Sequence, residues 1–133
     1  MSKSDRRGVV IVAQDAQGRY LLQFRDANTG NALRWCFFGG GLQGDELPVD
    51  AAARELYEET RIVADPEQLQ LVAEYDSHTR HGYFYVFRLL APVGWPIALG
   101  EGAGVGFFAR EEIEMLRVKG VLADWMLRCL EYA

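Results

Sequence analysis

Three glutamates lie close together near the middle of the 133-residue chain. Glu55, Glu58 and Glu59 belong to the segment RELYEET. Side chains three or four residues apart on a helix have Cβ atoms only about 5–6 Å from each other, so three carboxylates at this spacing repel one another. A divalent cation would turn the repulsion into attraction, and carboxylate oxygens suit Mg²⁺, with Mn²⁺ as a possible substitute. Arg54 can neutralise only part of the charge.

A helix must present these glutamates, and residues 48–60 have the pattern of one. Pro48 suits the first helical position because its missing N–H would have no intrahelical partner there. The glutamates fall opposite a stripe that recurs at spacings of three and four and is expected to be buried, namely Val49, Ala52, Ala53, Leu56, Tyr57 and Thr60. Taken alone, such a glutamate cluster is more often a solvated helix face than a metal site.

The spacing around the helix favours the metal site. Gly40, in a predicted glycine turn, is followed after five residues by Glu46 and after seven more by the segment RELYEET. This arrangement resembles the signature of the Nudix hydrolases, G-x5-E-x7-R-E-U-x-E-E-x-G-U, in which U is a bulky aliphatic residue. One specified position differs, because Arg61 replaces the final glycine. Arg61 either adopts the left-handed conformation, at a cost of about 1 kcal/mol, or ends the helix differently.

The resemblance implies a role for each of these residues. The three helix glutamates are expected to be metal ligands and catalytic residues. A carbonyl oxygen at Gly40 is expected to be a further metal ligand. Alternatively, the glycines could serve only to reverse the direction of the chain. Glu46 and Arg54 are expected to pair and to brace the loop against the helix. Glu101 is placed like a loop glutamate that binds metal or acts as the base in family members; it could instead be a solvated loop acid. The general base is thus Glu55 or Glu101.

Substrate contacts are predicted in two loops. The polar loop SHTRHG, residues 77–82, contains His78 and Arg80, which we expect near phosphate; a plain exposed loop is the alternative. Two histidines without a third ligand do not indicate a zinc site. The glycine-rich loop 91–106 contains Trp95, which could stack on a base or could cover the core.

Composition indicates one domain, residues 1–133, with 50% hydrophobic and 25% charged residues. The net charge of −5 argues against binding a nucleic acid polymer through a broad basic surface. Cys36 and Cys129 are far apart and form no zinc-like spacing, so we expect reduced thiols in a cytoplasmic protein. No apolar run approaches the length of a membrane span or resembles a signal peptide.

The rest of the chain has the pattern of five strands, followed by two helices near the end of the sequence. Strands are expected at 8–14, 19–25, 34–38, 69–76 and 83–90, with the first two paired as a hairpin, and helices at 110–116 and 121–132. Periodicity alone predicts an α+β fold without a topology. The resemblance implies a Nudix-type α/β/α sandwich with a mixed β-sheet.

The expected activity is Mg²⁺-dependent hydrolysis of a phosphoanhydride in a nucleoside diphosphate linked to another moiety. Within that class the compact length looks most like the MutT-type nucleoside triphosphate pyrophosphohydrolases. A nucleotide-sugar or dinucleotide hydrolase fits the same residues, and a Nudix-fold module that senses a nucleotide without hydrolysing it is a further alternative. The substrate is expected to be a small-molecule nucleotide and the protein a monomer or a homodimer. The sequence determines neither the base, sugar and leaving group nor the number of metal ions.

Overall fold

The computed structural model of the chain describes residues 6–26, 33–77, 82–95, 97–98 and 104–133. Along these ranges the secondary-structure elements are β1 (Arg6–Val12), β2 (Tyr20–Phe24), β3 (Trp35–Cys36), β4 (Phe38–Gly41), α1 (Pro48–Thr60), a short 3₁₀ helix (Pro66–Gln68), β5 (Leu69–Ser77), β6 (Gly82–Leu89), β7 (Gly104–Phe108), α2 (Arg110–Val118) and α3 (Met126–Leu130). No helix among the described residues is both long and apolar enough to span a bilayer.

The larger sheet is mixed and holds its strands in the order β4-β1-β6-β5. β1 runs parallel to β6 and antiparallel to β4, and β5 is antiparallel to β6. Val9 is paired with Gly40 on one side and with Tyr85 on the other, and Tyr85 is paired in turn with Glu74. These four residues therefore form one row across the sheet, and paired residues in such a row point to the same face.

β1 is buried on both of its faces, as its continuous apolar run predicts. Val9 and Ile11 contribute to one core with α1, which comprises Val9, Ile11, Leu21, Phe38, Ala51, Ala52, Leu56, Tyr85 and Phe87 among others. Val10 and Val12 contribute to a second core with α2 and α3, which includes Val10, Val12, Leu22, Phe37, Val86, Ile113, Met126 and Cys129. Helices thus cover opposite faces of a mixed sheet, and the predicted α/β/α sandwich is confirmed.

The predicted hairpin between the first two strands is correct only at its turn. An antiparallel bridge joins Gln14 to Tyr20, and the N–H of Leu21 donates to Ala13 O at 2.9 Å. Beyond that point β2 joins β3 and β7 in a second sheet of order β3-β2-β7. The reason is that both edges of β1 are already occupied, by β4 and by β6, which leaves no edge for β2.

Two further predictions differ from the structure. Gly39–Gly41 continue strand β4, paired with β1, and do not form the expected turn. The last helix is shorter than the predicted range of 121–132, because the backbone before it pairs with β3. The N–H of Trp35 donates to Val121 O at 2.7 Å, and the N–H of Ala123 donates to Trp35 O at 3.0 Å, so these backbone groups are not free for helical hydrogen bonds.

Candidate active site

α1 carries the glutamates and begins where the sequence predicts. Pro48 is in its first turn, after Leu47, which is extended and makes no side-chain cap. The helix buries Ala51, Ala52, Leu56 and Thr60 against the sheet. Tyr57, expected in the buried stripe, is instead 44% exposed, whereas Ala51, outside that stripe, is fully buried. The helix is therefore rotated relative to the prediction, so that part of its glutamate side turns toward the sheet.

Arg61 ends α1 in the left-handed conformation, with φ 65° and ψ 12°. Its N–H donates to Tyr57 O at 2.8 Å, and its guanidinium carbon lies 5.0 Å from the centre of the Tyr57 ring. The Thr60 hydroxyl donates to Leu56 O at 2.6 Å and accepts from the N–H of Ile62 at 3.1 Å. Arg61 thus takes the conformation that a glycine at this position adopts readily, and its side chain contacts Tyr57 of the preceding turn.

Arg54 and Glu46 form a bidentate ion pair between α1 and the preceding loop. Nε of Arg54 donates to one carboxylate oxygen of Glu46 at 2.7 Å, and Nη2 donates to the other at 2.9 Å. The N–H of Gln43 also donates to Glu46, at 3.0 Å. The hydrogen bonds from Arg54 lower the pKa of Glu46 below its usual range, and the same pair raises the pKa of Arg54. The two residues that were expected to pair are therefore brought together.

Arg54 also connects the end of β4 to two of the three glutamates. Nη2 donates to Gly41 O at 2.9 Å, and Nη1 lies 3.2 Å from Glu58 Oε1 and 3.5 Å from Glu55 Oε1. One guanidinium thus fixes the strand end, the loop and the helix relative to one another. Its single positive charge is shared among three carboxylates, so it neutralises the cluster only in part.

The carboxylate of Glu55 occupies the space above Gly40. A Cβ built on Gly40 would lie 1.7 Å from Oε2 of Glu55, so any side chain larger than hydrogen at residue 40 would require this carboxylate to move. The Glu55 side chain is only 14% exposed. Burial raises its pKa; the Arg54 charge lowers it, and the Glu58 carboxylate raises it again, with a net increase. The absence of a side chain at Gly40 is therefore what allows this carboxylate to approach the strand backbone.

Glu58 and Glu59 differ in their surroundings. The Glu58 side chain is 50% exposed and lies beside Arg54, whereas Oε2 of Glu59 is buried. Within the described ranges, no group of three or more His, Cys, Asp or Glu side chains is arranged so that it could hold a metal ion. The three glutamates thus lie on neighbouring positions of α1 without converging on one point.

The donor set nevertheless fits a hard divalent cation. Glu55 is held against the backbone of Gly40 with Glu58 close enough to raise its pKa, so negative charge is concentrated at the end of β4. Carboxylate and carbonyl oxygens are the ligands that Mg²⁺ prefers. The half-exposed Glu58 carboxylate, 3.2 Å from Nη1 of Arg54, is the second acidic group beside Glu55.

Of the site residues predicted in the loops, Trp95 belongs to the part of the chain that the structure describes. Glu101, His78 and Arg80 lie outside the described residues. Trp95 is 60% exposed, and its ring stands edge-on to Phe107 with the centroids 5.5 Å apart. Just beyond it, the N–H of Ala98 donates to Thr60 O at 3.3 Å. Ala98 therefore adjoins the end of α1 that carries Glu59.

Arg7 was not among the predicted site residues, and it lies on the same face of the sheet as Glu55. Arg7 is two residues before Val9, so both point toward α1. Its guanidinium donates a hydrogen bond to the Tyr85 hydroxyl. The alternation of side chains along β1 could have located Arg7 once Val9 was assigned to the α1 face.

Comparison with known proteins identifies relatives along most of the chain. The family model described as NUDIX domain matches residues 4–128. The MutT-like protein of Streptomyces ambofaciens is 32% identical over 124 residues, which are 93% of this chain and 75% of that protein. The RNA pyrophosphohydrolase of Bartonella quintana (strain Toulouse) is 36% identical over 83 residues, 60% of this chain. That match spans only 43% of the Bartonella protein.

A solved structure shares the fold. The MutT protein from Methanosarcina mazei Go1 superposes with a TM-score of 0.76, covering 98% of this chain and 94% of that chain. The two sequences are 20% identical, so this likeness concerns the arrangement of helices and strands alone.

Proposed function

The chain belongs to the Nudix hydrolase family, and on that premise we propose that it is a Mg²⁺-dependent hydrolase that cleaves a phosphoanhydride in a nucleoside diphosphate linked to another moiety. The observation that carries this proposal is the position of Glu55, whose carboxylate is held above Gly40 at the end of β4 by α1 and Arg54. A solvated helix face would not place a buried carboxylate against a strand backbone.

The metal ligands in this proposal are Glu55, Glu58 and Glu59, together with the carbonyl oxygen of Gly40. When bound, Mg²⁺ lowers the pKa of a coordinated water and neutralises charge on the phosphate oxygens. Mn²⁺ has the same preference for oxygen ligands and is expected to substitute.

The residues of the chain supply position and proton transfer. Arg54 and Glu46 hold the helix and the end of β4 in register, so the carboxylates keep a fixed distance from the backbone.

A glutamate accepts the proton of the water that attacks phosphorus, and Glu55 and Glu101 are the two candidates. A raised pKa brings Glu55 closer to the operating pH, which suits a general base. Trp95, His78 and Arg80 are proposed to contact the substrate.

A nucleoside triphosphate is the proposed substrate, with the nucleoside monophosphate and pyrophosphate as products. The likeness to a MutT-like protein over 93% of the chain supports this choice. The match to an RNA pyrophosphohydrolase favours a second candidate, a 5′-triphosphorylated RNA end. The net charge of −5 still argues against a broad RNA-binding surface, so only the terminal nucleotides would be contacted.

The domain organisation, the cellular compartment and the oligomeric state are also part of this proposal. Residues 1–133 are taken as one Nudix domain that acts in the cytoplasm as a monomer or homodimer. Cys36 and Cys129 are both buried and form no disulfide among the described residues, which fits a reducing compartment. Nucleotide-sugar and dinucleotide hydrolysis remain alternatives within the enzyme class, and nucleotide sensing without turnover is the alternative outside it.

The test is hydrolysis by the purified protein over a panel of nucleoside triphosphates, oxidised nucleotides, nucleotide sugars, dinucleotide polyphosphates and a 5′-triphosphorylated RNA oligonucleotide. We expect Mg²⁺-dependent turnover of the triphosphates that chelator abolishes, with products resolved by chromatography. Glu58→Gln and Glu59→Gln should each reduce turnover by roughly two orders of magnitude, the scale seen when a group that stabilises transition-state charge is removed. Unchanged turnover in both variants would refute the assignment. Tight nucleotide binding without turnover would support the sensor.

A further inference from the structure

Arg7 and Tyr85 form a contact on the α1 face of the larger sheet that the proposed reaction does not use. Nη2 of Arg7 donates to the Tyr85 hydroxyl, and the guanidinium carbon lies 5.1 Å from the centre of the Tyr85 ring. Tyr85 is buried and Arg7 is exposed. Among the described residues, no carboxylate forms an ion pair with Arg7. A guanidinium has five N–H donors, so several remain directed to solvent.

The strand register places Arg7 close to the glutamates. Arg7 precedes Val9 by two residues on the same face, and Val9 is paired with Gly40. Two residues along a strand span about 7 Å and neighbouring strands are about 5 Å apart, so the Cα atoms of Arg7 and Gly40 are separated by roughly 9 Å. The Glu55 carboxylate stands above Gly40 on this same face. The backbone of this exposed arginine therefore lies one strand across and two residues along from the residue that the Glu55 carboxylate covers, and its guanidinium extends to Tyr85 on β6.

Neighbouring side chains hold this cation in a defined position. The Tyr83 ring stands edge-on to Tyr85 with centroids 5.4 Å apart, and the Tyr83 hydroxyl donates to Glu74 Oε1 at 2.9 Å. Both tyrosines are thus fixed by their neighbours, and Tyr85 in turn fixes Arg7. A side chain that is already ordered loses less conformational entropy when it binds a ligand.

We infer that Arg7 binds a phosphate group of the substrate and that Tyr85 is a positioning residue for Arg7. The inference rests on the proposed function, because it concerns the same site. The glutamates repel a polyphosphate, and an oriented guanidinium matches phosphate oxygens in charge and in shape. Its separation from Gly40 indicates a phosphate other than the one that reacts. That phosphate belongs either to the polyphosphate of a free nucleotide or to the first phosphodiester of an RNA end.

The test measures affinity separately from hydrolysis. The probe is a nucleoside triphosphate with a methylene bridge between its α and β phosphorus atoms, titrated calorimetrically in Mg²⁺. Arg7→Gln should raise Kd about ten- to hundredfold, the loss expected for a hydrogen bond between charged groups. The matched control is Arg88→Gln, which removes another exposed arginine from the same sheet, where Arg88 is paired with Val12 at the far end of β1. The control should change Kd less than twofold. Equal effects of the two substitutions would overturn the inference.

A second variant separates binding from a structural role. Tyr85→Phe keeps the ring and removes the hydroxyl, so it should raise Kd less than Arg7→Gln and leave the melting temperature close to that of the unmodified protein. In turnover, both variants should raise KM and leave kcat unchanged, because Arg7 binds ground state and transition state alike. If both variants lowered the melting temperature and left Kd and KM unchanged, Arg7 would merely cover Tyr85 and the inference would fail.

Two probes distinguish the source of the phosphate. The methylene analogue carries only a polyphosphate, whereas a 5′-triphosphorylated dinucleotide carries a phosphodiester as well. If Arg7→Gln weakens the binding of both probes, Arg7 contacts the polyphosphate. If it weakens the binding of the dinucleotide alone, Arg7 contacts the phosphodiester. If the protein hydrolysed nothing in the panel and Arg7→Gln still weakened binding selectively, the proposed function would fail while the phosphate contact would stand.

Discussion

Gly40 and Glu55 are complementary, because the glutamate carboxylate fills the space that a side chain at residue 40 would need. A Cβ at this position would lie 1.7 Å from Oε2 and 2.2 Å from Cδ of Glu55. All the nearest atoms belong to the end of one flexible side chain and none to the backbone. A methyl group could thus be accommodated if the carboxylate moved, which makes this position a sensitive test of the site.

Gly40→Ala should displace the Glu55 carboxylate and leave the fold intact. We expect kcat/KM to fall at least tenfold, about 1.4 kcal/mol of transition-state stabilisation, with a shift of only a few degrees in melting temperature. The matched control is Gly41→Ala, one residue along β4, where an added Cβ would meet nothing closer than Arg7 O at 3.8 Å. The control should keep most of the activity. A similar loss in both variants would mean that β4, rather than the carboxylate, is what the substitution disturbs.

Glu55→Gln should change the pH dependence of stability in the metal-free protein. Burial raises the pKa of Glu55 above the ordinary value of 4.5. The folded state then binds the proton more tightly than the unfolded state, so stability contributed by protonated Glu55 is present below pH 4.5 and is lost as the pH rises through the raised folded-state pKa. Glutamine is never ionised and escapes this loss. The variant should therefore be more stable than the unmodified protein at pH 7 and equally stable near pH 4.

Urea denaturation in chelator at several pH values checks this expectation. The difference in free energy of unfolding between the variant and the unmodified protein should grow with pH over the titration range of Glu55. A difference that is constant with pH would contradict the raised pKa. The same variant should lose hydrolytic activity, so a gain in stability would accompany a loss of function at this residue, as is common where charge is concentrated for catalysis.

Arg54→Lys should weaken the connection between α1 and the end of β4. Lysine keeps the charge but cannot donate in a fork to both oxygens of Glu46 while also reaching Gly41 O. We expect the free energy of unfolding to fall by about 1–2 kcal/mol, because the pair is only partly exposed. The control is Arg117→Lys, which alters a solvent-exposed pair with Glu114 and should leave the free energy of unfolding almost unchanged. Equal losses in thermal or urea unfolding would show that the bidentate geometry contributes nothing.

Hydrophobic periodicity in the sequence predicted individual helices and strands better than it predicted which strands pair with each other. The proline start of α1, the two-sided burial of β1 and the strand runs in β5 and β6 follow from periodicity along one segment. Which strand accepts β2 depends on the edges that other strands occupy, and that is decided by residues distant in sequence. The short length of α3 has the same cause, because the backbone before this helix is hydrogen-bonded to Trp35, a residue distant in sequence.

The candidate site shows the same division. The pairing of Glu46 with Arg54 was expected from the family resemblance, and both residues lie close to α1 in sequence. Arg7 was missed because it is 48 positions from Glu55 in sequence and reaches the site only through the pairing of Val9 with Gly40. The rotation of α1 that exposes Tyr57 and buries Ala51 likewise depends on how the helix meets β4, which helical periodicity cannot specify.

Substitutions at Arg61 should separate backbone strain from the contact with Tyr57. Arg61→Ala keeps a Cβ in the left-handed conformation and removes the guanidinium from the Tyr57 ring, so it should lower the free energy of unfolding by about 0.5–1 kcal/mol. Arg61→Gly removes the same contact together with the steric cost of the Cβ, about 1–2 kcal/mol. Glycine should therefore be more stable than alanine at this position by about 1 kcal/mol and close to the natural arginine.

Thermal unfolding of the two variants, measured beside Tyr57→Leu, tests this explanation. Tyr57→Leu removes the aromatic face and leaves the backbone at Arg61 unchanged, so it should match the loss caused by Arg61→Ala. A glycine variant no more stable than the alanine variant would show that the left-handed conformation at Arg61 carries no strain. Activity should be retained in all three, because Tyr57 is on the side of α1 away from Gly40 and the bonds from Arg54 to Glu46 and Gly41 are untouched.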